Sequence, residues 1–259
     1  MMLRFDEKVS RLLDNAYQGA DVTRRRRATF DALEPTPGDR ILDIGCGTGL
    51  LTLELARAVG DQGYILGIDP SQDMRNPALE RCAGFSNVEV MEGTANQLPV
   101  EAETFDKALS LQVFEYLDDI PGAVAEIHRV LREDGRIVIG DIHWDSLIWF
   151  SEDKSRMAKM ITAWDRHLVE RRVPEILPSI LMQNGFKIDA VQPVTFCDTL
   201  LKPDGLANML MHLMQPYAVQ NGIMAPDEAE AWAAEQAELA DRGCFFFSIT
   251  HYVVTARKV

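Results

Sequence analysis

The sequence is poor in the residues that build disulfide or zinc frameworks. Its four cysteines, at positions 46, 82, 197 and 244, include no Cys-x-x-Cys pair and no metal-ligand spacing, so no metal site is expected and a reducing compartment is the setting they predict. Positive charge is also scarce. The 26 Lys and Arg face 40 Asp and Glu, a net charge of −14, and a surface of that sign repels phosphate backbones, which argues against nucleic acid as a partner. There is no long apolar run of the kind that crosses a bilayer. Arg4, Asp6, Glu7 and Lys8 interrupt the start, where a secretory signal would need an apolar core. A cytoplasmic protein that engages neither membrane nor nucleic acid is the expectation; its oligomeric state is left open. No repeat, low-complexity tract or Pro/Gly/Ser linker divides the chain, so one domain over residues 1–259 is expected.

Hydrophobic residues make up 47% and charged residues 25%, the balance of a globular chain. Between residues 40 and 140 short apolar runs alternate with helical patterns, as in βαβ units stacked into a parallel sheet. Strands are expected over 40–44, 64–69, 88–91, 106–111 and 136–141, rich in Val, Ile and Leu as a sheet covered on both faces requires. Leu51, Leu55, Ala58 and Val59 lie at helical spacing before the stop at Gly60, and Pro121 opens a further helix. Beyond residue 145 the alternation breaks. Residues 151–172 read as one amphipathic helix, N-capped by Ser151, with Met157, Met160, Ile161, Trp164 and Leu168 on one stripe. A short helix ending near Asn184-Gly185 precedes two β-rich runs, 186–196 and 244–256, separated by a helical stretch over about 206–240. The expected plan is α/β: an N-terminal helical segment (1–39), a core (40–145), helical insertions (146–185 and 200–243) and final strands (186–199 and 244–259).

The strongest local signal is Ile41-Leu42-Asp43-Ile44-Gly45-Cys46-Gly47-Thr48-Gly49: an apolar strand, an acid, then alternating glycines before a helix. The pattern is GxGxG, whereas a dinucleotide pyrophosphate loop wants GxGxxG. Glycines at alternate positions let backbone pass close beneath a ligand, and the first helical turn offers unpaired N–H groups. The loop alone could also be an ordinary tight turn, and Asp69, at the end of the second strand, could be a helix N-cap.

With Gly67-Ile68-Asp69-Pro70-Ser71, Glu92-Gly93-Thr94-Ala95-Asn96-Gln97-Leu98-Pro99, Leu111-Gln112-Val113-Phe114-Glu115-Tyr116 and Leu131-Arg132-Glu133-Asp134-Gly135 in order, the chain resembles the class I S-adenosylmethionine-dependent methyltransferases. The likeness is to the small-molecule branch that includes the ubiquinone and menaquinone methyltransferases, and it covers roughly residues 20–145. It implies a Rossmann-like, seven-stranded, mostly parallel sheet, closed by an antiparallel final hairpin, with helical lid insertions. It also implies S-adenosyl-L-methionine as cofactor, bound through Asp43, Gly45, Cys46, Gly47, Gly49, Asp69, Pro70, Met74, Thr94, Ala95, Leu111 and Gln112. In this picture Asp69 takes both ribose hydroxyls, since a carboxylate accepts from a vicinal diol, and Met74 packs on the adenine. Thr94 stands where the family has an Asp and Tyr116 where it commonly has a His.

Transfer to a small organic acceptor, on oxygen or carbon in preference to nitrogen, is the expected reaction. Residues just after strands four and five are the candidates to act on the acceptor, because ligands sit at the carboxyl ends of such strands. Among Glu115, Tyr116, His143, Trp144 and Asp145, His143 leads as general base because imidazole is the side chain suited to proton transfer near neutral pH, followed by Glu115; Tyr17 is a further candidate on a closing N-terminal helix. The run Arg24–Arg27 fits a solvated helix face or a carboxylate clamp. Met209, Met211 and Met214 suit an adaptable lid over the acceptor as well as a plain core; His212 is a weaker base candidate and His251 a structural residue. Cys46 reads as a small filler between glycines, and Cys82, Cys197 and Cys244 as buried apolar residues. The other readings are an NAD-type oxidoreductase and a non-catalytic protein that binds the same cofactor.

Overall fold

The computed structural model describes residues 18–259. Strands β1 (Arg40–Ile44), β2 (Tyr64–Ile68), β3 (Val88–Met91), β4 (Phe105–Leu111), β5 (Leu131–Trp149), β6 (Phe186–Asp198) and β7 (Phe247–Lys258) form one sheet in the order β3-β2-β1-β4-β5-β7-β6. The first five strands are parallel, and β7 runs antiparallel to both β5 and β6. The expected seven-stranded sheet with its reversed closing pair is therefore present. Ile41, Leu42, Ile44, Ile65, Leu66 and Ile68 are each at most 1% exposed, which is why β1 and β2 read as unbroken apolar runs and not as alternation. Each such side chain contributes about 1.5–3 kcal/mol by leaving water.

On one face lie α1 (Ala20–Leu33), α2 (Leu50–Val59) and α3 (Gln72–Cys82), against Ile41, Ile65, Leu109 and Val138. The other face is covered by α4 (Ile120–Val130) and α6 (Val173–Gln183), against Leu42, Ala108 and Ile137. Helices α5 (Lys154–Asp165), α7 (Leu206–Gln220) and α8 (Pro226–Asp241) add a helical layer in which α5 packs on both others.

Several expected boundaries move, each for a local reason. The helix expected over 151–172 is α5 alone, and its N-cap is Asp153, whose carboxylate accepts from the Arg156 amide at 2.9 Å, not Ser151. After Asp165 the amides of Arg166, His167 and Leu168 turn back three residues, to the carbonyls of Ala163, Trp164 and Asp165, and those of Val169 and Glu170 donate to the Glu115 carbonyl at 2.9 and 3.1 Å. The stretch 206–240 is two helices, broken at Asn221-Gly222, where Gly222 takes φ 65°, and restarted by Pro226 at the first helical position of α8. Strand β5 runs eight residues past the expected Asp141, with its register to β7 shifted between His143 and Ile148. A bulge of this kind re-aims a side chain, and here it carries Trp144 towards the loop after β4. The last strand starts at Phe247 instead of Cys244.

Candidate active site

The carboxyl ends of β1, β2 and β4 meet at the glycine loop. The Gly45 and Cys46 amides both donate to the Ile68 carbonyl, at 2.7 and 3.0 Å, tying the loop to the end of β2. Gly45 takes φ 71°, and a Cβ there would lie 2.2 Å from Val113 Cγ2; the loop after β4 leaves no room for one. Gly47 is different. Its φ is 54°, and an added Cβ would meet only the Met74 terminal methyl at 3.6 Å, so the space over this residue is open. Gly49, at φ 78°, is the N-cap of α2 and has no side chain with which to satisfy the first-turn amides.

Asp69 stands beside that space, 8% exposed. Its carboxylate accepts from the Gly47 amide at 3.0 Å and the Ser71 amide at 2.9 Å. Burial raises its pKa, against the pull of those two amides and of Arg75. Asp43 is 2% exposed and takes the Thr52 hydroxyl at 2.6 Å. Burial, opposed by that hydroxyl and reinforced by Asp69, lifts its pKa to about 7. Pro70 follows Asp69 directly, Met74 and Ala95 are buried, and Thr94 is exposed. Burial pushes the Cys46 thiol well up, so it is a filler and not a nucleophile. Cys82 is buried as expected, but Cys197 and Cys244 are exposed, against the expectation: Cys197 lies on the outer strand β6 and Cys244 in the turn after α8.

After β4, Gln112 adopts φ 56° with its amide on the Gly140 carbonyl at 2.8 Å, a conformation costly for a residue with a side chain. This turn carries Glu115 inward until it is fully buried. Trp144 Nε1 donates to Glu115 Oε2 at 2.7 Å and Gln112 Nε2 to Oε1 at 3.3 Å. Asp141 lies close by, near the Phe114 and Glu115 amides though without a hydrogen bond of ordinary geometry to either. Burial raises the pKa of both carboxyls, each charge discourages the other's ionisation, and Arg25 favours both charges.

His143 lies apart from Glu115. Its Nε2 sits 2.6 Å from Glu175 Oε1 on α6, and its ring meets Tyr252 edge to face. Asp145 is exposed and paired with Arg171. His212 is exposed and bonds the Asn208 carbonyl, while His251 is fully buried, with its pKa well below the usual range through burial and the Arg25 charge. Tyr17 lies outside the described residues. The arginine run, expected as a solvated helix face or a carboxylate clamp, divides: Arg25 and Arg26 are at most 9% exposed. Arg24 reaches the Thr195 carbonyl and stacks on Phe196, and Arg27 pairs with Asp31. Helical spacing carried that signal, because Val22, Arg25, Thr29 and Leu33 share one stripe and all are buried. Arg75 was also missed. It is 5% exposed, donates to the Asp69 carbonyl at 2.8 Å and is held by Glu92 at 2.7 Å. Among the described residues no group of three His, Cys, Asp or Glu could hold a metal ion.

The strand order with a reversed β7, and the glycine loop under Asp69, define a Rossmann-like class I methyltransferase fold. A methyltransferase domain model matches residues 42–139. An uncharacterized 37.1 kDa protein of transposon Tn4556 from Streptomyces fradiae is 32% identical over 235 residues, 88% of this chain and 65% of that protein. A demethylmenaquinone methyltransferase of Desulfitobacterium hafniense is 38% identical over 120 residues, 45% of this chain and 47% of the relative. The crystal structure of an S-adenosylmethionine-dependent methyltransferase from Aquifex aeolicus aligns with a TM-score of 0.57 at 18% identity, covering 96% of this chain and 99% of that one. The chain thus spans 65% and 47% of the lengths of these two sequence relatives. Its fold is that of the class I S-adenosylmethionine-dependent methyltransferases, and residues 42–139 are similar to a methyltransferase domain.

Proposed function

We propose that the protein moves a methyl group from S-adenosyl-L-methionine to a small organic acceptor, at oxygen or carbon, and that the acceptor is a moderately apolar aromatic molecule. The observation that carries this reading is the open space over Gly47, flanked by the Asp69 carboxylate and by an α2 N-terminus with no side-chain cap. The residues present suit the cofactor. Asp69 spends one lone pair of each oxygen on Gly47 and Ser71, and the others are left to accept from two ribose hydroxyls. Met74 and Ala95 offer apolar contact to the adenine, with Thr94 as a weak acceptor; Asp43 and the Gly45–Gly49 backbone take the methionine end, with Pro70, Leu111 and Gln112 around it. When bound, the cofactor supplies an electrophilic methyl on a cationic sulfur.

The chain's own task is alignment and exclusion of water. Glu115 is the leading candidate to act near the acceptor, because its carboxyl fixes Trp144 and Gln112 and burial lets it hold a proton. His143 ranks second because Glu175 engages its ring. The aromatic acceptor is supported by the menaquinone activity named for one relative and by the Trp and Met side chains of α5 and α7. Residues 1–259 act as one methyltransferase domain in this reading, with 40–145 holding the cofactor and the insertions capping the acceptor. The cytoplasm is the proposed compartment, consistent with four free cysteines and with no described helix long and apolar enough to cross a membrane. Two measurements test the proposal: calorimetric titration with S-adenosylhomocysteine, and mass spectrometry of a metabolite extract incubated with methyl-labelled cofactor. Heat of binding and a product gaining one labelled methyl are expected; no heat with the homocysteine product would end the proposal.

A further inference from the structure

Five rings converge where the lid helices meet the ends of β4 and β5. Tyr116 follows β4, Trp144 follows the parallel part of β5, Trp164 lies on α5, His167 in the bend after it, and Tyr217 on α7. The His167 ring centroid is 4.0 Å from that of Trp164, 5.7 Å from Tyr217, 5.8 Å from Tyr116 and 6.3 Å from Trp144. Trp164 also meets Trp144 and Tyr217 edge to face. Aromatic rings packed this way are an ordinary apolar cluster unless their polar atoms are unsatisfied, since a buried N–H or ring nitrogen nearly always has a partner. Here two are unsatisfied, on rings that pack against each other. His167 is 2% exposed and Trp164 4%, and neither His167 Nε2 nor Trp164 Nε1 has a hydrogen-bond partner.

The two orphan atoms have opposite character. His167 Nδ1 lies against the Trp164 carbonyl, which can only accept, so the ring proton sits on Nδ1 and leaves Nε2 as a bare acceptor. Burial keeps the ring neutral, its pKa pushed down to about 4. Trp164 Nε1–H is a donor only. One chemical group answers both at a single atom: a hydroxyl, whose hydrogen goes to Nε2 while its oxygen accepts from Nε1–H. A carbonyl or an ether answers only the tryptophan. The place is also suitable, because the bend that carries His167 is pinned to the Glu115 carbonyl through Val169 and Glu170, at the strand end where an acceptor would lie.

We propose that Trp164 and His167 form the hydroxyl-recognising pair of the acceptor site, selecting a planar aromatic alcohol over its ether or ketone analogue, with Trp144, Tyr116 and Tyr217 as walls. This rests on the methyl-transfer reading above. Leaving a buried donor or acceptor unmatched is worth about tenfold or more in affinity.

The test uses the full chain saturated with S-adenosylhomocysteine and three probes: 1-naphthol, 1-methoxynaphthalene and naphthalene. Binding is followed by quenching of tryptophan fluorescence and by calorimetry. The wild type is expected to prefer naphthol to both others by tenfold or more, His167→Phe to bring naphthol and its methyl ether within about twofold of each other, and His167→Gln, whose amide carbonyl accepts, to restore part of the preference. Trp164→Phe gives a second, independent reading, and retained binding of S-adenosylhomocysteine certifies that each variant is folded. A naphthol preference that survives both His167→Phe and Trp164→Phe, or a wild type without preference, overturns the assignment. Failure to bind S-adenosylhomocysteine would instead strike the methyl-transfer reading itself.

Discussion

Replacing Asp69 by Asn removes one charge and one acceptor while keeping size, which separates two roles for this residue. The carboxylate accepts from the Gly47 amide at 3.0 Å and the Ser71 amide at 2.9 Å, one on each oxygen. Asn has a single oxygen, so one amide loses its partner and faces an NH2 group instead. A hydrogen bond to a charged acceptor is worth about 1.5–3 kcal/mol, and relaxation into partial solvent recovers some of it. Relief of the burial cost that raises the Asp69 pKa opposes the lost bond, so the variant should lose no more than about 1–2 kcal/mol of stability in urea, or roughly 2–8 °C of Tm for a chain of this size. If Asp69 also takes the two ribose hydroxyls, the remaining oxygen must serve two amides and a diol. S-adenosylhomocysteine should then bind about 30- to 1000-fold more weakly, two lost bonds of about 1–2 kcal/mol each. Calorimetry at pH 8 is the assay. A variant that loses stability but keeps its affinity within threefold would show Asp69 to be only a turn former and would refute the cofactor assignment.

Two further outcomes follow from the same loop. Gly45→Ala combines a left-handed conformation, costing about 1 kcal/mol, with a Cβ 2.2 Å from Val113 Cγ2, an overpacking of about 1–3 kcal/mol; pairing it with Val113→Ala should recover more than additivity allows, read by urea denaturation of the four proteins. Asp43→Asn tests burial: ionising Asp43 is harder in the folded chain, where its pKa is about 7 against 3.8 ordinarily. Its favourable contribution is therefore complete below about pH 4 and lost as pH rises through 7, and the full span amounts to ~4 kcal/mol. The variant should gain on the wild type by up to that amount between pH 4 and 8 in the absence of cofactor, and a difference independent of pH would contradict the account.

The parallel core was legible because β1 and β2 are apolar on both faces and the strand runs alternate with helical patterns. β1 and β3 fall where the apolar runs stand, and β2 and β4 differ by one residue. Beyond Asp141 the local signal weakens for a physical reason. The bend after α5 is held by the Glu115 carbonyl drawing the Val169 and Glu170 amides, a contact across more than fifty residues that no local pattern contains. The extension of β5 likewise depends on pairing with β7 more than a hundred residues later. At the site, glycines and Asp69 were readable because their chemistry is tied to spacing. Arg75 and Arg25 were not, because charged residues default to the surface and only a helical stripe count exposes the exception. His167 was overlooked, since a histidine in a charged stretch carries no mark of the ring cluster around it.

The carboxyl ends of these strands also hold a charge imbalance that binding should relieve. Burial raises the pKa of Asp43, Asp69, Glu115 and Asp141 alike, and Arg25 and Arg75 offset only part of the penalty. A cationic ligand arriving among acids that are partly protonated lowers their pKa and expels protons, by the linkage that governs pH-dependent stability. Asp43, with a pKa of about 7, is roughly half protonated at neutral pH, so it alone can release up to about half a proton at pH 7. S-adenosylmethionine carries a sulfonium charge that S-adenosylhomocysteine lacks, and its binding should release more protons. Calorimetry in phosphate and in Tris, whose ionisation enthalpies differ widely, reads this directly as a difference in apparent heat. The release should shrink above pH 8, where Asp43 is already ionised, and fall in Asp43→Asn. Equal heats in the two buffers at pH 7 for the sulfonium form would mean that no acid in this cluster answers to the ligand's charge, and that the buried carboxyls serve the fold alone.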